Sequence, residues 1–461
     1  MSFLLPLLGL PALGLALTFG GPRPERAGFL LAGWGLAFAA LLAAGAKLPL
    51  TFGPLRLDQF SILFLLLAGV LAGIAALASL GRQEENWYFR LSAFLVLALA
   101  LAGTSDSLVL LWAGLEAAGL TFVLLVDTRR VKASLEAAWK TALLTAGGSL
   151  SSLLALGFLL AAAPRPNASW SYLAAHAHSL QPGLLAVAFA LALVGFGTKL
   201  GLFPFHPWIT AAYTQAPAPV VLLSAGEIGL GLYALLRYYL LAQPVLGAFA
   251  DHLLLAAGVL SVAAGAAGLA TSREVKQLLA YSTVEILGLA LVGLGSGSFL
   301  GLAGALLLVV FYSLAKAALF LSAEGLAGDG GLPLSSLNGL LTRRPGLLAV
   351  FLLVGGFAAL GLPPFPTFFG ELGILAGLFR ESPLATALLL VPWLVVFLAY
   401  LRFLTRLFSR ADPQPATEDQ RSAPGFREAA VALSLFLLLL GVVRLPSLLS
   451  VLAVVGTRTF T

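Results

Sequence analysis

The fold class predicted by this sequence is an all-α polytopic membrane protein with about fourteen transmembrane helices, and three observations lead there. Apolar residues fill 60% of the 461 positions, charged residues only 10%, and the mean hydropathy is +1.01. Apolar blocks of roughly 20 residues, enough to cross about 30 Å of hydrocarbon as a helix, follow one another with short polar breaks. Two blocks, the seventh and twelfth, carry internal prolines and similar sequences, which predicts a repeated discontinuous helix.

In chain order the predicted spans lie near residues 2–19, 27–46, 58–81, 87–103, 106–126, 133–162, 182–203, 218–241, 247–271, 276–296, 300–324, 346–379, 383–409 and 426–443. The first has no charged leader and is followed by Arg23 and Arg26, so it reads as a retained span with its N-terminus facing outward. The alternate connections agree. Arg82, Arg129, Arg130, Lys132, Arg273, Arg343, Arg344, Arg402, Arg406, Arg410, Arg421 and Arg427 share one side, against Lys47, Arg56 and Arg165 on the other. That bias makes the first side cytoplasmic and puts both termini outside the cytoplasm. The longest polar stretch, Arg410 to Arg427, reads as a cytoplasmic loop. The predicted layout is helices 1–3 in residues 1–86, a first five-helix repeat in 87–241, a second in 247–409, and a loop with the last span in 410–461.

Composition excludes several kinds of chemistry. There is no cysteine, and the four histidines are His176, His178, His206 and His252, so the usual ligand sets for iron–sulfur clusters, haem or structural zinc are missing. The sequence therefore predicts no cofactor, no metal and no catalytic site in this chain, and any redox step belongs to a partner. The net charge of +6 comes from basic residues in loops, a mark of membrane topology and not of nucleic-acid binding. No block has the composition of a soluble domain.

Charges inside the spans need a reason, because one ionisable side chain near a span centre costs about 2.5–3.5 kcal/mol on the insertion scale. They are Glu116 in "LWAGLEAAGL", Lys140 in "LEAAWKTALL", Lys199 in "LVGFGTKLGLFPFHPW", Glu227 in "LLSAGEIGLG", Glu285 in "YSTVEILGLA", Lys316 in "FYSLAKAALF" and Glu371 in "TFFGELGILAG". Internal similarity orders them. "LVGFGTKLGLFPF" at 193–205 matches "LVGGFAALGLPPF" at 353–365 in eight of thirteen positions without a gap. "LEAAGLTFV" at 115–123 resembles "VEILGLALV" at 284–292, aligning Glu116 with Glu285; "WKTALL" at 139–144 resembles "AKAALF" at 315–320, aligning Lys140 with Lys316. Corresponding spans are five apart, an odd number, so the second copy is predicted to be inverted, as in secondary transporters with discontinuous helices around an ion site.

Pro204 removes a backbone donor and obstructs its helix, and the unwound segment is tolerable only beside protein or water. Lys199 is thus expected at the edge of a wet cavity, where burial favours an amine and a nearby carboxylate such as Glu116 favours an ammonium. The same logic pairs Lys316 with Glu285 or Glu371. Each residue also has a structural reading. Lys199 and Lys140 lie near span ends, where an ammonium can reach the interface. Glu116, Glu285 and Lys316 can form static buried pairs, Glu371 can serve a helix start, and Glu227 fits either role. His206, just after the break, is a relay candidate.

These residues carry a resemblance. "VDTRRVKASLEAAWKTALL", "GFGTKLGLFPFHPWITAAYTQAPAPVVLL", "REVKQLLAYSTVEILG", "FYSLAKAALFLSAEGL" and "GLPPFPTFFGELGIL" resemble the antiporter-like membrane subunits shared by complex I, multi-subunit sodium/proton antiporters and group 4 membrane-bound hydrogenases. "ASLEAAWK" and "LLRYY" are most similar to component F of hydrogenase-4 and formate hydrogenlyase complexes. The resemblance implies proton translocation through Glu116, Lys140, Lys199 and Glu371 in a prokaryotic cytoplasmic membrane. It also implies partners: other antiporter-like subunits, membrane lipid, and a peripheral redox module with hydrogenase-like and iron–sulfur subunits. The sequence departs from the family pattern at Gly229, where complex I members commonly have a lysine, and at Ile286 and Tyr312, where histidines are frequent. Ala211 and Tyr213 also stand where the family often has an acid and a histidine. Glu227, Tyr312 and waters are the candidates to fill that thinned middle.

Overall fold

The structure is a computed structural model that describes residues 4–80, 84–327, 331–343 and 346–409. The predicted span at 426–443 and the loop before it lie outside these residues.

Helices dominate because each apolar block satisfies its own backbone hydrogen bonds, as a chain in hydrocarbon must. They run α1 (Leu4–Leu17), α2 (Pro22–Ala44), α3 (Gln59–Ser79), α4 (Asn86–Thr104), α5 (Leu108–Val126), α6 (Lys132–Ala162), α7 (Trp170–Ala175), α8 (Pro182–Leu200), α9 (Pro207–Gln215), α10 (Ala218–Leu246), α11 (Ala248–Thr271), α12 (Val275–Gly295), α13 (Phe299–Ala327), α14 (Leu340–Arg343), α15 (Leu347–Ala359), α16 (Pro366–Glu381) and α17 (Pro383–Phe408). Among the described residues, 11 helices are long and apolar enough to cross a membrane. Large apolar side chains on α5 and α6, including Leu120, Leu143 and Leu150, are exposed, as a lipid-facing surface requires.

One detail departs from an all-helical reading. Leu50–Phe52 (β1) and Leu55–Leu57 (β2) form a small antiparallel hairpin, with Leu50 opposite Leu57. Its turn holds Gly53, at φ 57°, and Pro54, residues suited to a tight reversal. The connection before α8 folds into the short helix α7.

The chain divides into two compact units. The first holds the described residues up to Leu253 except Leu80 and Leu202–Pro204, and the second holds those exceptions and the described residues from Leu254 onward. In the first unit α10 is almost wholly buried and forms the core. In the second, α12 and α13 take that role.

One end of the first unit is tied by a polar network that sequence reading did not find. Asp58 Oδ1 accepts from the Ser61 backbone N–H at 3.0 Å, capping α3, and Asp58 Oδ2 is paired with Arg237 Nη2 of α10 at 2.6 Å. Arg237 also donates to Tyr233 Oη at 2.7 Å and stacks 4.1 Å over the Trp170 ring of α7. A second buried pair, Lys276 with Glu324 at 2.5 Å, joins α12 to α13 in the second unit.

Candidate functional site

Both proline-containing spans are broken in the same way. α8 ends at Leu200 and α15 at Ala359; a glycine in the left-handed region comes directly after the first, Gly201 at φ 67°, and one residue beyond Leu360 after the second, Gly361 at φ 65°. Side chains other than glycine rarely adopt that conformation, which explains why this position is identical in the two matching stretches. One carbonyl near each helix end, which already accepts the N–H of the left-handed glycine, takes a second hydrogen bond from the half-helix beyond the break. Trp208 Nε1 donates to Thr198 O at 2.7 Å, and Thr367 Oγ1 donates to Ala358 O at 2.6 Å. Thr198 and Ala358 occupy equivalent positions of the repeat.

In the first unit the break places Lys199 in the last turn of α8, where the negative end of the helix dipole favours a cation. Lys199 is buried, and its Nζ lies 3.0 Å from Glu116 Oε1 on α5 and 3.5 Å from Leu115 O. The hydroxyl of Ser149 on α6 donates to Glu116 Oε2. Gly148 and Gly195 let α6 and α8 touch, which carries Ser149 to that carboxylate. Glu227 of α10 completes the group. It is buried and interacts electrostatically with both Lys199 and Glu116. Gly119 leaves room for the group: a Cβ there would lie 3.0 Å from Glu227 Oε1 and 3.2 Å from Lys199 Nζ.

The other α10 position singled out by the resemblance points elsewhere. A side chain at Gly229 would meet Leu67 and Phe64 of α3, at 3.5 and 3.6 Å, in an apolar seam. Tyr213 donates to Ser224 Oγ at 3.1 Å, and His206 sits half-buried just ahead of α9.

Lys140 does not join this group. It is exposed on α6 and paired with Glu136, one helical turn away, at 2.5 Å. Nine residues separate it from Ser149, about 13 Å along the helix. α6 has 31 residues, roughly 46 Å, so its ends extend past the hydrocarbon and Lys140 can sit in the interfacial layer.

The second unit gathers Glu285, Lys316 and Glu371, all buried. Lys316 interacts electrostatically with Glu285, and Glu285 with Glu371. Lys316 Nζ has no hydrogen-bond partner among the described residues and lies 5.4 Å over the Tyr312 ring. Tyr312 Oη donates to Ser282 O at 3.2 Å and meets Tyr400 Oη at 3.1 Å. The Glu371 carboxylate packs against the break itself, its Cδ 2.6 Å from where a Cβ on Gly361 would stand. Ile286 is buried.

Sequence reasoning named the charged members of both groups. It missed Ser149, Gly119 and Tyr400, and only the helix-interior glycine in "LEAAGL" gave any signal of close packing beside Glu116.

The chain is matched by a known family. Residues 105–396 match the family described as NADH:quinone oxidoreductase/Mrp antiporter, transmembrane region. The chain belongs to this family. It is 32% identical over 357 residues to a hydrogenase-4 component F homolog of Methylacidiphilum infernorum, covering 72% of this chain and 74% of the relative. It is 34% identical over 447 residues to NADH-quinone oxidoreductase subunit 14 of Thermus thermophilus, covering 95% and 97%. A chain of respiratory complex I from Thermus thermophilus has the same fold, with a TM-score of 0.79 at 29% identity over 97% of this chain and 99% of that one. The protein is therefore an antiporter-like, multi-pass membrane subunit of the kind found in complex I, Mrp antiporters and hydrogenase-type complexes.

Proposed function

We propose that the chain moves protons across a prokaryotic cytoplasmic membrane as one subunit of a redox-driven complex, of group 4 hydrogenase or complex I-related type. The observation that carries this reading is Lys199, buried against Glu116 at 3.0 Å at the end of a broken helix. A lysine held by a carboxylate keeps its proton, and the same lysine left alone in apolar surroundings releases it. Displacing Glu116 by a few ångströms therefore loads or unloads Lys199. In the second unit Lys316 and Glu285 have the matching roles, with Glu371 and Tyr312 beside them and His206 as a further exchange candidate. Lys140, exposed and paired with Glu136, stands apart from this path. The inverted arrangement of the two repeats, the outward termini and the absence of a cofactor in this chain are parts of the same proposal. Electrons would then run through a peripheral module with hydrogenase-like and iron–sulfur subunits.

A second reading is favoured by the family description, which includes Mrp antiporters: sodium/proton exchange without electron transfer. Purification of the tagged chain in mild detergent, with mass spectrometry of what stays bound, separates the two. Hydrogenase-like and iron–sulfur subunits are expected. Recovery of small antiporter subunits alone, with sodium-dependent pH relaxation in vesicles lacking an electron donor, would replace the redox-driven reading with the exchanger.

A further inference from the structure

The two units assemble one charge set from different helices. In the first, Glu116, Lys199 and Glu227 come from α5, α8 and α10; in the second, Glu285, Lys316 and Glu371 come from α12, α13 and α16. Each set holds two carboxylates and one lysine, so each is one positive charge short when every member is ionised. The repeat does not dictate this. The match of 193–205 with 353–365 has an offset of 160, which aligns Lys199 with Ala359 and Glu371 with Ala211. The lysine and the second carboxylate have changed helices between the units, and the charge count has stayed the same.

In the first unit the missing charge has a place to sit. Glu227 is 7% exposed, and its Oε2 has no hydrogen-bond partner among the described residues. Among the described residues, the titratable groups that face it are Lys199 from α8, Glu116 from α5 and Tyr213 from α9, and of these Lys199 is the cation. Lys199 is already committed to Glu116. The gap left by Gly119 keeps Glu227 beside the ion pair without a Cβ between them.

We infer that Glu227 is the proton-loading group of the first unit, its Oε2 carrying the one positive charge that the Glu116–Lys199–Glu227 set lacks. The assignment rests on the proton-translocation reading above. Loading forms one O–H bond on the carboxylate and moves no electron, and the neutral acid leaves the Glu116–Lys199 pair intact.

The test is infrared spectroscopy of the native complex in lipid at pH 7, reading the carbonyl stretch of protonated carboxylic acids as wild-type-minus-variant differences. Charge counting predicts one protonated acid in the wild-type set, none in Glu227→Gln and two in Lys199→Met. Glu227→Asp should keep the band at a shifted position, which a purely structural role would not do. An unchanged acid band in Glu227→Gln overturns the assignment, and so does loss of the band when sodium chloride is added at fixed pH, since sodium would then be the missing cation. Redox-coupled acidification is measured on the same Lys199→Met sample. If it is abolished while Glu227→Gln leaves the band unchanged, the assignment fails alone. If Lys199→Met still pumps, the translocation reading fails with it.

Discussion

Gly119→Ala isolates the geometry of the first charged set from the stability of the fold. The added methyl would stand 3.0 Å from Glu227 Oε1 and 3.2 Å from Lys199 Nζ, so one or both must move by a few tenths of an ångström. Both atoms end flexible side chains, and alanine is a better helix former than glycine by about 1 kcal/mol, so the chain should fold and assemble. What changes is the ion pair. At the observed 3.0 Å, Lys199 and Glu116 attract by about 5.5 kcal/mol at an effective dielectric near 20, falling to about 4.7 kcal/mol after a displacement of roughly 0.5 Å. The difference, about 0.8 kcal/mol, corresponds to roughly a fourfold change in how often the pair is closed. The expected result is a loss of about fourfold in redox-coupled acidification by reconstituted vesicles, with electron transfer by the complex retained. Gly147→Ala on α6 is the control, since its new methyl would meet nothing within 4 Å and should leave the rate unchanged. Wild-type acidification in Gly119→Ala, or an equal loss in Gly147→Ala, would refute the reasoning.

Two further outcomes are expected. Lys140→Met and Glu136→Gln should leave coupled acidification within about twofold of wild type, because the pair is exposed, one turn apart on α6, and lies outside the buried set; a loss as deep as that of Lys199→Met would put Lys140 back in the path. Asp58→Asn should lower the thermal midpoint of the purified chain, since it leaves Arg237 buried and unpaired, a change that typically costs about 3–5 kcal/mol; adding Arg237→Met should recover part of the loss. Burial pushes the Asp58 carboxyl up, but Arg237 and the Ser61 N–H overcome it and hold it below the usual carboxylate range. That stabilisation is complete above about pH 4 and disappears as the pH falls further, so the Asp58→Asn difference should shrink in acid.

The sequence exposed the parts of this structure that follow from solvent and backbone chemistry. Apolar blocks had to become helices, and Pro204 and Pro364 had to interrupt two of them, with Gly201 and Gly361 free to turn left-handed. The meeting of Lys199 with Glu116 was legible because each is a lone charge in an apolar block, Glu116 within its span and Lys199 just before a helix break, where an unpartnered charge is costly. Lys140 shows the limit. Its local sequence resembles that around Lys316, yet Lys316 is buried and Lys140 exposed, because a short match fixes neither helical phase nor how far a long helix extends beyond the bilayer. Gly229 shows the same limit from the other side: alignment marks the position, and only packing reveals that it faces Phe64 and Leu67. The Asp58–Arg237 pair was hidden by distance along the chain, since nothing local to either residue names a partner 179 positions away.

The central claim is that buried lysine–carboxylate pairs in this chain carry the protons. Its most direct test is the proton-to-electron stoichiometry of the reconstituted native complex carrying Lys199→Ala or Glu116→Gln, with assembly verified. The account predicts that electron transfer persists and coupled acidification is abolished. An assembled Lys199→Ala complex that pumps with the wild-type stoichiometry would contradict it.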